Sequence, residues 1–135
     1  MSSLLSAREL DKSYSEGGRE IVVLRQLSLE LKRAERLAIV GESGVGKSTL
    51  LHILGTLDRP TRGRIFYSGK ELPLHDEAAV PAFRNREIGF VFQLHYLLPD
   101  FSALENVMLP ALIQGMSLAQ AREQAEDLLE SVGLK

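Results

Sequence analysis

A glycine-rich stretch that contains a lysine is the part of the sequence best suited to chemistry. It runs from Gly41 to Thr49 and matches the pattern Gly-x-x-x-x-Gly-Lys-Ser/Thr in full. Its glycines let successive backbone amides point inward and form a concave nest for phosphate oxygens. Lys47 adds a full positive charge for the β- and γ-phosphates, and the hydroxyl of Ser48 is a ligand that Mg²⁺ accepts. The pattern predicts a site for a nucleoside triphosphate and its metal ion.

The segments on either side of this loop agree with that interpretation. Leu37 to Val40 is continuously apolar, as is typical of a strand buried on both faces, and Ser48 to Gly55 predicts a helix. A helix N-terminus at the loop adds unpaired N–H groups and the positive end of a dipole. Glu42 is expected to point outward without a role. The alternative is a glycine-rich turn before an ordinary helix. The predicted binding residues of the loop are Gly41, Ser43, Gly44, Val45, Gly46, Lys47, Ser48 and Thr49.

The residues ahead of the loop predict an antiparallel sheet with one face exposed to water. Leu4 to Tyr14 predicts a strand that enters a turn over Ser15 to Gly18, and Ile21 to Leu31 alternates between apolar and polar residues. Tyr14, at that turn, offers an aromatic face on which a flat base can stack. The alternative for Tyr14 is a tyrosine that simply ends an edge strand.

Gln93 is the second candidate beyond the loop. It ends another apolar run, Ile88 to Gln93, which predicts a second buried strand. The end of such a strand is where a doubly wound sheet holds its ligand. The side-chain carbonyl of a glutamine there can ligate Mg²⁺ or orient a water. The alternative is a polar residue that caps a strand.

Gly63 to Ser68 predicts another short strand, and the remaining segments predict helices. Ala78 to Arg86 predicts a short one. Ser102 and Ser117 each begin a capping-box pattern, which predicts two further helices. Pro110 is expected to kink or interrupt the first of these two helices. The second carries an apolar stripe at helical spacing and has Gly133 where a C-cap glycine belongs.

The order of these features resembles that of a known family. Tyr14, the glycine-rich loop and Phe90-Val-Phe-Gln93 look like the A-loop, Walker A and Q-loop of ABC transporter ATPases. Gly44 to Asp58 and Gln93 to Val107 are most similar to the lipoprotein-releasing (Lol) and macrolide-export branch, and the resemblance runs over almost the whole chain. It implies an α/β fold, in which a P-loop NTPase core carries an N-terminal antiparallel β subdomain.

The same resemblance implies roles for individual residues. Tyr14 would stack on the adenine of ATP, Ser48 and Gln93 would bind Mg²⁺, and Lys47 and Gln93 would act in catalysis. Leu94 to Leu104 would contact integral membrane transporter subunits, and a second ATPase subunit would complete a homodimer. The assembly would lie peripherally at the cytoplasmic face of the bacterial inner membrane. It would couple ATP binding and hydrolysis to lipoprotein release, or, as the alternative, to macrolide or peptide export.

Several motifs of that family are not found in the 135 residues. These are the Leu-Ser-Gly-Gly-Gln signature, the Walker B aspartate with its adjacent catalytic glutamate, and the switch histidine. Residues 1–135 are therefore expected to form the N-terminal portion of one nucleotide-binding domain, with a parallel sheet left incomplete because the chain ends early. Phosphoryl transfer needs a base and a positioned water, so we expect weak ATP binding and almost no hydrolysis by this chain alone.

Two further classes of function stay open. One is a non-catalytic nucleotide-binding fragment, and the other is a different P-loop enzyme such as a kinase. A base-selectivity test distinguishes the kinase from an ABC ATPase, because stacking on Tyr14 should tolerate more than one purine.

The composition excludes other classes of site. The net charge of −2 provides no basic field for nucleic acid, and the absence of cysteine excludes disulfides and thiolate metal sites. No apolar run approaches the ~20 residues of a membrane span, and the N-terminus lacks the pattern of a signal peptide.

Overall fold

A computed structural model describes residues 3–134 of the chain. Met1, Ser2 and Lys135, the outermost residues of the predicted domain, lie outside the described residues. Contacts between residues divide the chain into two compact units, Met1–Pro81 and Ala82–Lys135, and each unit is described by itself.

The first unit is built on a four-stranded antiparallel sheet. Strands β1 (Leu5–Glu16) and β2 (Arg19–Leu31) form a long hairpin around a turn at Gly17 and Gly18. Strands β3 (Arg62–Tyr67) and β4 (Lys70–Glu71) extend the sheet on the other side of β1, which gives the order β2-β1-β3-β4. The predicted antiparallel lead-in is therefore confirmed.

Helix α1 (Lys47–Leu54) packs its apolar side on this sheet. Leu50 and Ile53 are buried with residues from three strands, among them Leu10 and Ile65, which are fully buried. Burial of one such side chain contributes about 1.5–3 kcal/mol. The core thus fixes α1, and with it the loop that precedes the helix. The buried cluster comprises Ala7, Leu10, Leu24, Leu50, Ile53, Ile65 and Leu74.

Two predicted buried strands are wrong for the described residues. Leu37 to Val40 and Ile88 to Gln93 have no regular secondary structure, and both leave apolar side chains in solvent. Val40 is 86% exposed and Val91 is fully exposed. A strand forms only where a neighbouring strand takes its N–H and C=O groups, and the sheet of the first unit pairs with neither segment. An apolar run records a tendency to be buried, but it does not supply the partner strand.

The second unit consists of helices. Helix α2 (Ala79–Glu87) crosses the boundary between the units, and α3 (Ala103–Ile113) and α4 (Leu118–Ser131) follow. Met108 of α3 is buried with Ala121 and Ala125 of α4. The remainder of the predicted apolar stripe on α4 is less buried, and Leu128 is exposed. No helix in residues 3–134 is both long and apolar enough to cross a bilayer.

The ends of α3 and α4 confirm the capping predictions. Ser102 and Ser117 each accept the N3 backbone N–H, and the N3 side chain accepts the N-cap N–H in return. Such a cap contributes about 1 kcal/mol. At the end of α4, Gly133 has φ 80°, and the N–H groups of Gly133 and Leu134 donate to Glu130 and Leu129. This is a Schellman motif, with glycine at the left-handed position that favours it.

The predicted interruption of α3 at Pro110 is wrong, because the helix continues through the proline to Ile113. Proline removes only the N–H that would have bonded the carbonyl of Asn106. The carbonyl of Pro110 itself accepts the N–H of Gln114 and the side-chain amide of Asn85. The capping box stabilises the start of α3, and packing against α4 stabilises the rest of the helix. The loss of one hydrogen bond at the proline is therefore tolerated.

Candidate functional site

The glycine-rich loop forms a compact turn that leads directly into α1. The N–H of Val45 lies 3.5 Å from the carbonyl oxygen of Glu42, and Gly46 is the N-cap of the helix. Gly44 and Gly46 have φ of 81° and 101°, values that L side chains rarely adopt. Positive φ at alternate positions turns backbone N–H groups to one side of the loop, which is the geometry of an anion nest. The backbone of this loop thus has a shape that suits a phosphate, and phosphate binding by its residues stays a prediction.

Strand β2 packs closely against this loop at Gly46. A Cβ atom at this position would lie 2.7 Å from Cγ1 of Val23 and 3.2 Å from the carbonyl oxygen of Val23. Both the steric limit and the positive φ therefore require glycine. The sequence pattern identified Gly46 through its spacing from Lys47 but gave no sign of the contact with Val23.

The ammonium group of Lys47 lies against the start of the loop. It donates to the carbonyl oxygens of Gly41 at 2.8 Å and of Glu42 at 2.5 Å. The lysine thus places a positive charge beside the nest, where it can neutralise a phosphate. The remaining loop residues are accessible to a ligand: Gly41, Ser43, Gly44, Val45 and Ser48 are exposed, and Gly46, Lys47 and Thr49 are partly exposed.

The donor set around the loop suits a metal ion that binds together with phosphates. In residues 3–134 no three His, Asp or Glu side chains come together as a metal site. Mg²⁺ at nucleotide sites takes only one or two protein ligands, and phosphate oxygens and waters complete its shell. The exposed hydroxyl of Ser48, in the first turn of α1, is a donor of that kind.

Tyr14 lies within strand β1, as predicted, and pairs with Ile21, but the turn begins later than the predicted Ser15. The strand continues two residues further because Ser15 and Glu16 still pair with β2. The ring is 41% exposed. Its hydroxyl donates to Oδ2 of Asp58 at 2.8 Å, and the ammonium group of Lys12 lies 4.7 Å from the ring centroid. Tyr14 is therefore held in place while part of its ring faces solvent.

Asp58 is the centre of this small polar cluster. Its Oδ1 accepts the ammonium group of Lys12 and the N–H of Arg59, each at 2.7 Å. Burial raises the pKa of Asp58, but the hydrogen bonds from Lys12, Tyr14 and Arg59, with the charge of Lys12, outweigh it and lower the pKa below its usual value. The carboxylate is therefore ionised at neutral pH, and its charge stabilises the cluster.

Asp58→Asn should remove a part of the stability that depends on pH. A carboxyl group whose pKa is lowered by folding contributes stability above its unfolded pKa of about 3.9, and that contribution is lost as the pH falls through the folded value. We expect Asp58→Asn to be less stable than wild type at pH 7, and the difference to shrink below about pH 4. Urea unfolding followed by circular dichroism at several pH values measures this. An equal difference at pH 7 and pH 2.5 would contradict the assignment.

Gln93 lies in the second unit, in an exposed segment without regular secondary structure. Close by, the rings of Phe90 and Phe92 stack with centroids 5.2 Å apart, and Phe92 meets the edge of Tyr96 at 5.1 Å. These aromatic contacts give the segment local order. The part of Gln93 in metal binding or catalysis stays a prediction.

The segment from Leu94 to Leu104 presents apolar side chains to solvent. The side chain of Asn106 holds the second half of this segment, because its oxygen accepts the N–H of Leu98 and its amide donates to the carbonyls of Leu98, Phe101 and Ser102. Exposed apolar residues on an ordered segment are typical of a protein interface. Those of this segment are Leu94, Tyr96, Leu97, Leu98 and Phe101.

Comparison with known proteins decides the family. The family model described as "ABC transporter" matches residues 24–135, which include the phosphate loop and Gln93. The chain belongs to the ABC transporter family. The prediction made from the A-loop, Walker A and Q-loop pattern is thereby confirmed at the level of the family and the fold.

Curated members of the ABC transporter family match nearly the whole chain. It is 51% identical over 134 residues to the lipoprotein-releasing system ATP-binding protein LolD of Geobacter metallireducens, covering 99% of this chain and 60% of that protein. It is 53% identical over 132 residues to LolD of Pseudomonas fluorescens, with coverages of 98% and 58%. The chain therefore spans about three fifths of the length of these relatives.

Solved structures from the ABC transporter family share the fold. The ATP-binding cassette MJ0796, in a dimeric post-hydrolysis state bound to ADP and Pi, matches with a TM-score of 0.86 at 35% identity, covering 97% of this chain and 58% of that one. CbiO1 of Clostridium perfringens, part of the transporter complex cbiONQ, matches with a TM-score of 0.76 at 28% identity, with coverages of 100% and 52%. The described elements thus share the fold of an ABC cassette.

Proposed function

We propose that this chain carries the ATP-binding part of an ABC transporter ATPase that drives lipoprotein release from the bacterial inner membrane. The observation that carries the proposal is the loop from Gly41 to Thr49, with positive φ at Gly44 and Gly46 and the ammonium group of Lys47 beside it. The relatives described above support the assignment to lipoprotein release, because they are named for that system and are 51% and 53% identical to this chain.

The loop would bind the triphosphate through its backbone and its lysine. Amides turned inward by Gly44 and Gly46 would donate to phosphate oxygens, and Lys47 would leave the carbonyls of Gly41 and Glu42 to neutralise the terminal phosphates. Thr49 adds a further phosphate contact, and Ser43 and Val45 contribute backbone groups. Tyr14 would stack on the adenine ring.

Magnesium fits the same loop. Ser48 would hold Mg²⁺ through its hydroxyl, with Gln93 as a second protein ligand or as the group that orients water. When bound, the ion neutralises charge on the β- and γ-phosphates. The motif that would supply the general base is not found in the 135 residues, so Lys47 would support binding and charge stabilisation here, and hydrolysis would be a property of the complete subunit.

The partners follow from the exposed segment and from the relatives. Leu94 to Leu104, held by Asn106 and rich in exposed apolar side chains, would contact the integral membrane subunits. A second ATPase subunit would complete a homodimer, since the MJ0796 cassette is dimeric in its solved form. The subunit would thus act peripherally at the cytoplasmic face of the inner membrane.

A chimera tests this function most sharply. The matching residues of the Pseudomonas fluorescens relative, which is 53% identical over 132 residues, are replaced by this chain, and lipoprotein release is measured in proteoliposomes with that relative's membrane subunits. We expect ATP-dependent release by the chimera and none by the chimera with Lys47→Ala. A chimera that assembles and hydrolyses ATP without releasing lipoprotein would assign the chain to another ABC transporter.

A further inference from the structure

Two side chains for which no role was predicted fix the position of Tyr14. Asp58 accepts the tyrosine hydroxyl at 2.8 Å, and Lys12 places its ammonium group 4.7 Å from the ring centroid. Lys12 lies two residues before Tyr14 on β1, so both side chains project from the same face of the strand. One face of the ring is therefore in contact with a cation, and the hydroxyl is already bonded.

The two partners are themselves firmly held. The side chain of Lys12 is only 11% exposed, and its ammonium group donates to Oδ1 of Asp58 and to the carbonyl oxygen of Arg59, both at 2.7 Å. The N–H of Asp58 donates to the carbonyl of His52 in the last turn of α1. A surface ion pair contributes little stability on its own. Lys12 and Asp58 are held by further hydrogen bonds in addition to their ion pair.

Helix α1 links this cluster to the phosphate loop. The helix has eight residues and is therefore about 12 Å long. The loop ends at its first turn, and Asp58 follows just after its last. Helix α1 thus positions both the end of the proposed phosphate-binding loop and Asp58, which anchors the ring of Tyr14.

We infer that Lys12 and Asp58 are positioning residues for the nucleoside, which hold the ring of Tyr14 as a platform with one face left for a flat base. The inference rests on the proposed function, because it assumes that a nucleotide occupies the phosphate loop. Since Asp58 occupies the tyrosine hydroxyl, the platform binds by stacking and does not read the edge of the base. Adenine and guanine should therefore be accepted about equally.

The test compares probes with and without a base. Binding of Mg-ATP, Mg-GTP and Mg-tripolyphosphate is measured by calorimetry for the wild-type chain and for Tyr14→Phe, Asp58→Ala and Lys12→Met. Tyr14→Phe keeps the ring but loses its anchor. Tyr67→Phe, which removes the hydroxyl of a tyrosine paired with the opposite end of β1, is the control. We expect each of the three variants to weaken both nucleotides by about threefold to tenfold, with unchanged tripolyphosphate affinity and an unaffected control.

Each of the other outcomes would contradict a specific part of this inference. Equal losses for ATP and tripolyphosphate would mean that the cluster only supports the fold, and unchanged ATP affinity in all three variants would mean that it does not position the ring. Asp58→Asn, which retains an acceptor for Tyr14, guards against misfolding of Asp58→Ala and should lose less affinity. A wild-type preference above tenfold between ATP and GTP would overturn readout by stacking alone. If the wild-type chain binds neither ATP nor tripolyphosphate, the proposed function fails, and the inference fails with it.

Discussion

Gly63→Ala should lower the free energy of unfolding by on the order of 3 kcal/mol or more. Gly63 lies in β3, has φ 98°, and faces the backbone of β1. A Cβ atom there would lie 2.5 Å from the carbonyl oxygen of Glu9 and 2.7 Å from that of Arg8. Both contacts are with backbone, which cannot rotate away as the end of a side chain can. Urea unfolding followed by circular dichroism measures the loss.

Gly69→Ala is the matched control for this prediction. Gly69 also has a positive φ, of 80°, but a Cβ atom there would have no atom within 4 Å. It therefore reports the backbone strain of alanine alone, about 1 kcal/mol, and the difference between the two variants isolates the steric contact. Equal destabilisation by Gly63→Ala and Gly69→Ala would show that β1 moves away freely, and that the close approach of β1 and β3 is not a constraint.

Lys47→Ala should reduce the affinity for Mg-ATP by about a hundredfold or more while the fold is kept. A charge-assisted hydrogen bond contributes about 1.5–3 kcal/mol, and two such bonds to phosphate account for a loss of that size. The fold is expected to survive, because the lysine is partly exposed and its described contacts are with the carbonyls of its own loop. Calorimetric titration with Mg-ATP gives the affinity, and circular dichroism confirms the fold.

Lys70→Ala controls for the loss of a positive charge as such. Lys70 is exposed in β4, at the edge of the sheet and outside the loop, and its removal should leave ATP affinity within about twofold, since the charge of an exposed group is screened by salt. Similar losses in Lys47→Ala and Lys70→Ala would mean that ATP responds to net charge, and that the loop from Gly41 to Thr49 is not the site.

The parts of the fold that local sequence determines were predictable. The phosphate loop and the start of α1 follow from glycines and a lysine at fixed spacing, and the caps at Ser102 and Ser117 follow from hydroxyl and carboxylate or amide groups three residues apart. The hairpin of β1 and β2 was predictable because its turn is short and its strands are adjacent in sequence. All of these features depend on neighbours along the chain.

The features that depend on distant residues were not predictable. Tyr14 and Asp58 are 44 residues apart, and no periodicity relates them. The contact of Gly46 with Val23 likewise depends on how α1 lies on the sheet. The strands predicted at Leu37 to Val40 and Ile88 to Gln93 are absent because a strand also depends on distant residues. Their apolar runs need partner strands that the sheet does not provide.

Hydrogen exchange of the backbone amides from Gly41 to Thr49 tests the central claim most directly. Gly41 to Val45 and Ser48 are exposed to solvent, so amides of this segment should exchange rapidly in the free protein. We expect Mg-ATP, at a concentration that saturates the wild-type chain, to slow exchange in this segment of the wild type and to leave it unchanged in Lys47→Ala. Binding of Mg-ATP with protection elsewhere, and none between Gly41 and Thr49, would contradict it.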